Sequence, residues 1–196
     1  MPCPEKFAES LEKFDINQDI IDEIFDGYED IVSKTPKKKK AAFFKRAIDI
    51  LDKKVDKNTT QNLLEWNACC KSGARQKASK EFARKNSDLT LEEKLKKIRK
   101  AQYMNMGEPW IIDNETLKIN AVSYIYEEKY ACGCSNFRRL KRDYPVSSHY
   151  CYCCGGHFKY HYEIMLGVKL ELLEVVSSPL DTDGKEPCVF RYRILQ

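Results

Sequence analysis

The hydrophobic rhythm of this 196-residue chain changes once, at Met106-Gly107-Glu108-Pro109. Before that point apolar residues recur every three or four positions, the spacing of one helix face. After it they alternate, the spacing of one strand face. Helices first and strands second lead to an α+β fold: an N-terminal helical layer packed on a C-terminal antiparallel sheet, with a helix between strands. Residues 1–106 form the helical region and residues 107–196 the α+β part, and a chain of this length folds them as one compact unit.

The helical region divides at local signals. Leu11, Phe14, Ile20, Ile21, Ile24, Phe25 and Ile31 keep helical spacing, with a break over residues 15–18. Phe44, Ala47, Ile48, Leu51 and Val55 make an apolar stripe on a lysine-rich helix, which Lys37-Lys38-Lys39-Lys40 opens as a solvated start. Asn58-Thr59-Thr60 is an N-cap cluster for a third helix, expected to run past Cys69-Cys70 to a break at Ser72-Gly73. Thr90-Leu-Glu-Glu93 is a capping box in front of Leu91, Leu95 and Ile98.

In the second half, Trp110-Ile111-Ile112 reads as a short strand, residues 113–115 as a turn, and residues 117–130 as an alternating strand that pairs back. A cysteine-rich loop broken by Pro145 follows. His157 to Leu166 has a helical apolar face and Gly167 ends it. Residues 168–176 and 188–194 are the closing strands. Aromatics are dense from Tyr103 to Tyr192. Most fill the core, and their number also suits a pocket for a small organic ligand.

Composition narrows the classes. Hydrophobic residues at 42% and charged residues at 33% belong to a soluble globular chain. No apolar run approaches the ~18 residues of a membrane span. The N-terminus lacks the apolar core of a secretion signal, so the expected location is the cytoplasm, where thiols stay reduced. With 34 basic and 30 acidic residues the net charge is +4, too balanced to argue nucleic-acid binding.

Thiols are the chemical signature. Of 9 cysteines, five lie in Cys132-Gly-Cys134 and Cys151-Tyr-Cys153-Cys154, followed by Gly155-Gly156-His157 and, one turn on, His161. An odd count and vicinal pairs suit a disulfide framework poorly. Thiolates and imidazoles at this density suit zinc or another soft metal. His157 and His161, four residues apart, can face one point, although His161 between two tyrosines reads better as structural. The same residues suit thiol chemistry: Cys153 or Cys154 as nucleophile near a helix start, with His157 as base. Cys69-Cys70 can complete either site only if the fold brings the two halves together.

The C-terminal half resembles the 4-vinyl reductase domain. The resemblance rests on Cys151-Tyr-Cys-Cys-Gly-Gly156-His-Phe158, then Gly167, Glu174 and Cys188-Val-Phe190, over roughly residues 110–196. It places the chain with a cysteine-rich bacterial branch of that family, whose members are small-molecule-binding modules. Their fold is similar to small vesicle-tethering subunits, with a helical layer on an antiparallel sheet. In the sensor branch a cysteine, a glutamate and two later cysteines hold zinc. This implies one of Cys151, Cys153 or Cys154, then Glu174, the position of Ser177, and Cys188. Serine is a poor ligand, so Cys132, Cys134 or His157 would substitute.

The functional expectation is therefore a small-molecule-binding or sensory protein with a cysteine-rich zinc site drawn from Cys132, Cys134, Cys151, Cys153, Cys154, His157, Glu174 and Cys188. The alternatives are a thiol-dependent enzyme and a partner-binding protein that dimerises through its helical half.

Overall fold

The computed structural model describes residues 2–69, 71–101 and 105–195; Cys70 and Tyr103 lie outside the described residues. Six helices come first: α1 (Pro4–Lys13), α2 (Gln18–Phe25), α3 (Lys37–Lys54), α4 (Lys57–Trp66), α5 (Gly73–Lys85) and α6 (Leu91–Ala101). Pro4 opens α1, where a missing N–H costs nothing. The lysine run is the first turn of α3, and its charges are engaged elsewhere: Lys39 with Asp30 at 2.6 Å, Lys40 with the Ser33 carbonyl at 2.7 Å. The capping box of α6 is closed in both directions, Thr90 N–H to Glu93 at 2.9 Å and Glu93 N–H to Thr90 Oγ1 at 3.4 Å.

Two helix boundaries differ from expectation. Asp56, not Asn58, caps α4, accepting from the Thr59 N–H at 3.0 Å, so Asn58-Thr59-Thr60 lies inside the first turn. The same helix stops at Trp66 rather than continuing past Cys69. Asn67 ends it, its buried amide donating to the Leu63 carbonyl at 3.0 Å and to Ser10 on α1 at 2.7 Å.

The sheet is antiparallel throughout, in the order β1-β2-β6-β5, with β1 (Glu108–Ile111), β2 (Thr116–Val122), β5 (Lys169–Ser177) and β6 (Cys188–Leu195). The long second strand expected to reach Tyr130 stops at Val122. Beyond it β3 (Ile125–Tyr126) and β4 (Lys129–Tyr130) form a separate ribbon, turned by Glu127 and Glu128 with φ of +48° and +63°. Two consecutive left-handed residues make the hairpin turn whose twist matches its strands.

Helix α7 (Tyr152–Leu166) links the layers. A 3-10 turn over Ser148–Cys151 leads into it, and Gly167 at φ +75° closes it. It begins five residues before the expected start at His157, so Gly155-Gly156 lies within the helix. Each glycine permits a close approach. A Cβ on Gly155 would stand 2.5 Å from a Leu172 methyl on β5, and one on Gly156 would stand 2.9 Å from the Glu65 carbonyl oxygen of α4. Thus α7 is wedged between sheet and helical layer. Tyr192 on β6 donates to the Gly155 carbonyl and Tyr162 to the Met106 carbonyl, each at 2.9 Å. One hydrophobic core runs from Phe7 and Phe44 through Tyr150 and Phe158 to Phe190 and Leu172, shared by both halves. Among the described residues no helix is long and apolar enough to cross a membrane.

Candidate functional site

Cysteines from four chain segments gather at the N-terminal end of α7. Cys132-Gly-Cys134 follows β4. Cys151 is the N-cap of α7, with Cys153 and Cys154 in its first turn. Cys188 opens β6 opposite Val122. Cys69 follows α4. Cys132, Cys151, Cys153 and Cys188 are buried, Cys134 and Cys154 partly so.

Local bonds fix this arrangement. The Cys134 N–H donates to the Cys132 sulfur at 3.4 Å, curling the Cys-Gly-Cys segment around it. The Cys134 sulfur lies 3.1 Å from the Tyr150 hydroxyl, which also accepts from Asn136 at 3.0 Å. Asn136 donates in turn to the Pro2 carbonyl, tying the loop to the start of α1. The Cys151 sulfur lies 3.1 Å from Ser178 Oγ.

Burial pushes the thiols of Cys132, Cys134, Cys151, Cys153 and Cys188 upward, and neighbouring thiols add to it. Cys134 and Cys151 act on Cys132, Cys188 on Cys151, and Cys132 and Cys154 on Cys188. Cys69 opposes ionisation of Cys134, so the helical half does contribute a cysteine to this neighbourhood. Burial and other sulfurs dominate at Cys132, Cys151 and Cys188.

The histidines are committed elsewhere. His157 donates from Nδ1 to the Cys69 carbonyl at 2.9 Å, which leaves Nε2 to accept from Arg75 at 2.9 Å. Both nitrogens of a neutral ring are thereby used, and burial lowers its pKa from 6.5 to about 4. His161 Nδ1 lies 2.8 Å from Ser79 Oγ, whose proton goes to the Arg75 carbonyl at 3.0 Å, so the imidazole donates. This matches the structural reading of His161.

The zinc set implied by the resemblance does not assemble. In β5 Leu172 faces Tyr192 and Glu174 faces Arg191, leaving Leu173 as the extra residue of a β-bulge. Without that bulge Glu174 would follow Leu170 and Leu172 onto the core face. With it, Glu174 turns to the outer face and pairs with Arg191 at 2.7 Å, while Cys188 keeps the core-face parity of Phe190 and Tyr192. Ser177 donates to the Pro187 carbonyl at 2.7 Å. It is Ser178, its neighbour, that meets Cys151, and the sequence offered only a serine pair at the strand end as a hint. Among the described residues no three His, Cys, Asp or Glu side chains stand as a ready-made ligand set.

The nucleophile–base pairing is also unsupported by the geometry. The first turn of a helix favours a thiolate, but burial outweighs it at Cys153, whose thiol is pushed well above its ordinary range. A His157 whose Nδ1–H is given to a carbonyl and whose Nε2 lone pair accepts from a guanidinium is a weak base. Sequence reasoning missed that Arg75, Ser79 and the Cys69 carbonyl would hold the two imidazoles, because these contacts cross the two halves. No family model, curated protein or solved structure matches the chain.

Proposed function

We propose that this is a small-molecule-binding, sensory protein of the 4-vinyl-reductase-like kind, in which the buried thiols hold a soft metal ion, zinc foremost. One observation carries the reading: Cys132, Cys134, Cys151 and Cys188, from three separated segments with Cys154 beside them, share one neighbourhood in which burial and one another's sulfurs hold the thiols protonated. As protonated thiols they contribute small-residue packing and weak hydrogen bonds such as those to Tyr150 and Ser178. Zinc would convert up to four of them to thiolates and offset much of the charge that burial otherwise forbids. His157 and Glu174 are left out of this ligand set, since each is engaged by an arginine. The bound ion would staple the segment after β4, the start of α7 and the start of β6, a structural role rather than a catalytic one.

The test is metal analysis of protein purified without chelator, beside a Cys151→Ser/Cys188→Ser variant. About one zinc per chain is expected, lost in the variant. Substoichiometric metal that zinc supplementation leaves unchanged would sink the metal assignment.

A further inference from the structure

A cleft of about 410 Å³ opens beside the thiol cluster, with Cys132 in its wall. It is bounded by the β3–β4 ribbon, the segment after Cys134 and the loop joining β5 to β6. Its floor is apolar: Phe137 and Leu180 are buried and Leu140 half-buried. Its rim carries four cations, Lys129, Arg139, Lys141 and Arg142, against two carboxylates, Glu127 and Asp183.

Those charges are unequally spent. Lys129 pairs with Asp183 at 2.6 Å. Arg142 is pinned by the carbonyls of Tyr144 and Pro179, which hold its position and leave its charge unpaired. Arg139 lies over the Tyr126 ring at 5.0 Å, and among the described residues neither it nor Lys141 has a carboxylate partner. The cleft therefore offers net positive potential above an apolar floor.

The walls are built rather than incidental. The Tyr130 N–H donates to the Gly184 carbonyl at 2.9 Å, joining ribbon to loop. A Cβ on Gly184 would stand 2.8 Å from Lys129 Cβ, so the approach depends on glycine. Among the described residues six non-glycine residues have left-handed backbone, and four of them, Glu127, Glu128, Arg139 and Asp183, lie in these three segments. Such strain persists where surrounding structure holds it, and it concentrates at ligand clamps.

We infer that this cleft binds a small amphipathic organic anion, its apolar body on Phe137, Leu140 and Leu180 and its charged head at Arg139 and Lys141. The volume and the mix of an apolar floor with a few polar anchors are those of small-molecule sites. The inference rests on the small-molecule half of the proposed function and not on the metal.

The experiment titrates octanoate into the full chain by calorimetry. Octanol is the neutral counterpart of equal length, and zinc is measured on the same sample. Saturable octanoate binding is expected, with octanol about tenfold weaker. Arg139→Gln/Lys141→Gln, at two exposed positions, should lose about tenfold in octanoate affinity and nothing for octanol. No saturable octanoate binding, octanol binding as tight, or an unchanged double variant would each overturn the inference. Octanoate binding by zinc-free protein would leave the inference standing and remove the metal, whereas zinc without octanoate binding would do the reverse.

Discussion

At the start of α7 the buried polar groups are thiols whose strongest neighbours are other thiols. One and two turns further on they are imidazoles whose neighbours are a carbonyl, a guanidinium and a hydroxyl. Both sets are largely buried, both gather around the same helix, and both draw on segments distant in sequence. Their difference lies in satisfaction. His157 has a complementary partner at each ring nitrogen and His161 has one at Nδ1, so protein groups alone hold that flank. The thiols have partners such as Tyr150 and Ser178, which favour their charged form, but burial outweighs them and keeps the thiols protonated. Burial of polar groups without compensation is costly, and buried charge more so. A flank complete in itself does structural work. A flank whose thiols could still take a cation is the one on which the proposed metal site rests.

The sharpest way to break that contrast is to supply the cation. Adding zinc to apo protein should raise thermal stability strongly, since a ligand at a thousand times its Kd adds about 4 kcal/mol. Replacing Cys132 and Cys188 by alanine should abolish the rise. Replacing His161 should leave the zinc-dependent increment intact, whatever it does to basal stability. Differential scanning calorimetry with and without zinc measures all three. An increment that survives the double cysteine change, or vanishes with His161, would erase the distinction between the flanks.

A somewhat smaller effect belongs to the imidazole flank. His157 has its folded pKa depressed to about 4 from 6.5, so between those values the unfolded chain binds more protons than the folded one. Its contribution is therefore fully present above pH 6.5 and is lost as pH falls toward 4. The loss is ~3 kcal/mol, from a shift of about 2.5 units. Urea unfolding at a series of pH values reads this slope. His157→Gln can donate to the Cys69 carbonyl and accept from Arg75 yet does not titrate, so its profile should be flatter by that amount. An identical slope in the variant would show that the imidazole is not the titrating group.

How much of this could be read in the sequence follows from the range of each interaction. The capping box at Thr90, the break over residues 15–18, the stop at Gly167 and the alternation of β6 are local, and the fold class follows from them. The end of α4 was not legible, because Asn67 is turned by a bond to Ser10, 57 positions away. The bulge at Leu173 was not legible either. Val168 to Val176 alternates well enough to be read as a plain strand, and the extra residue is imposed by pairing with β6. That single slip removes Glu174 from the thiol side. The cysteine gathering was half legible: spacing marked Cys132 to Cys154 and the family resemblance added Cys188, while the nearness of Cys69 depends on α7 wedging between the layers.

The wedge supplies the smallest of these predictions. Gly155 and Gly156 face different neighbours with different freedom to move. Next to Gly155 the nearest atoms are Leu172 methyls, the mobile end of a side chain, at 2.5 and 3.3 Å. Next to Gly156 they are the Glu65 backbone oxygen and Cα, at 2.9 and 3.0 Å, which move only if α4 moves. Alanine brings a helix-propensity gain of up to about 1 kcal/mol at either site. At Gly155 that gain should nearly offset the repacking of Leu172. At Gly156 overpacking against backbone should win, destabilising by about 1–2 kcal/mol net. The displaced end of α4 leads directly to Cys69, so Gly156→Ala should also weaken the carbonyl bond that holds the His157 pKa up and thereby steepen the pH profile, leaving the zinc increment in place. Urea midpoints at constant m, for both variants at pH 7 and pH 5, decide it. Equal stability of the two variants would mean that α4 yields to α7 as easily as a leucine methyl does, and that the imidazole flank is less rigidly set than its hydrogen bonds imply.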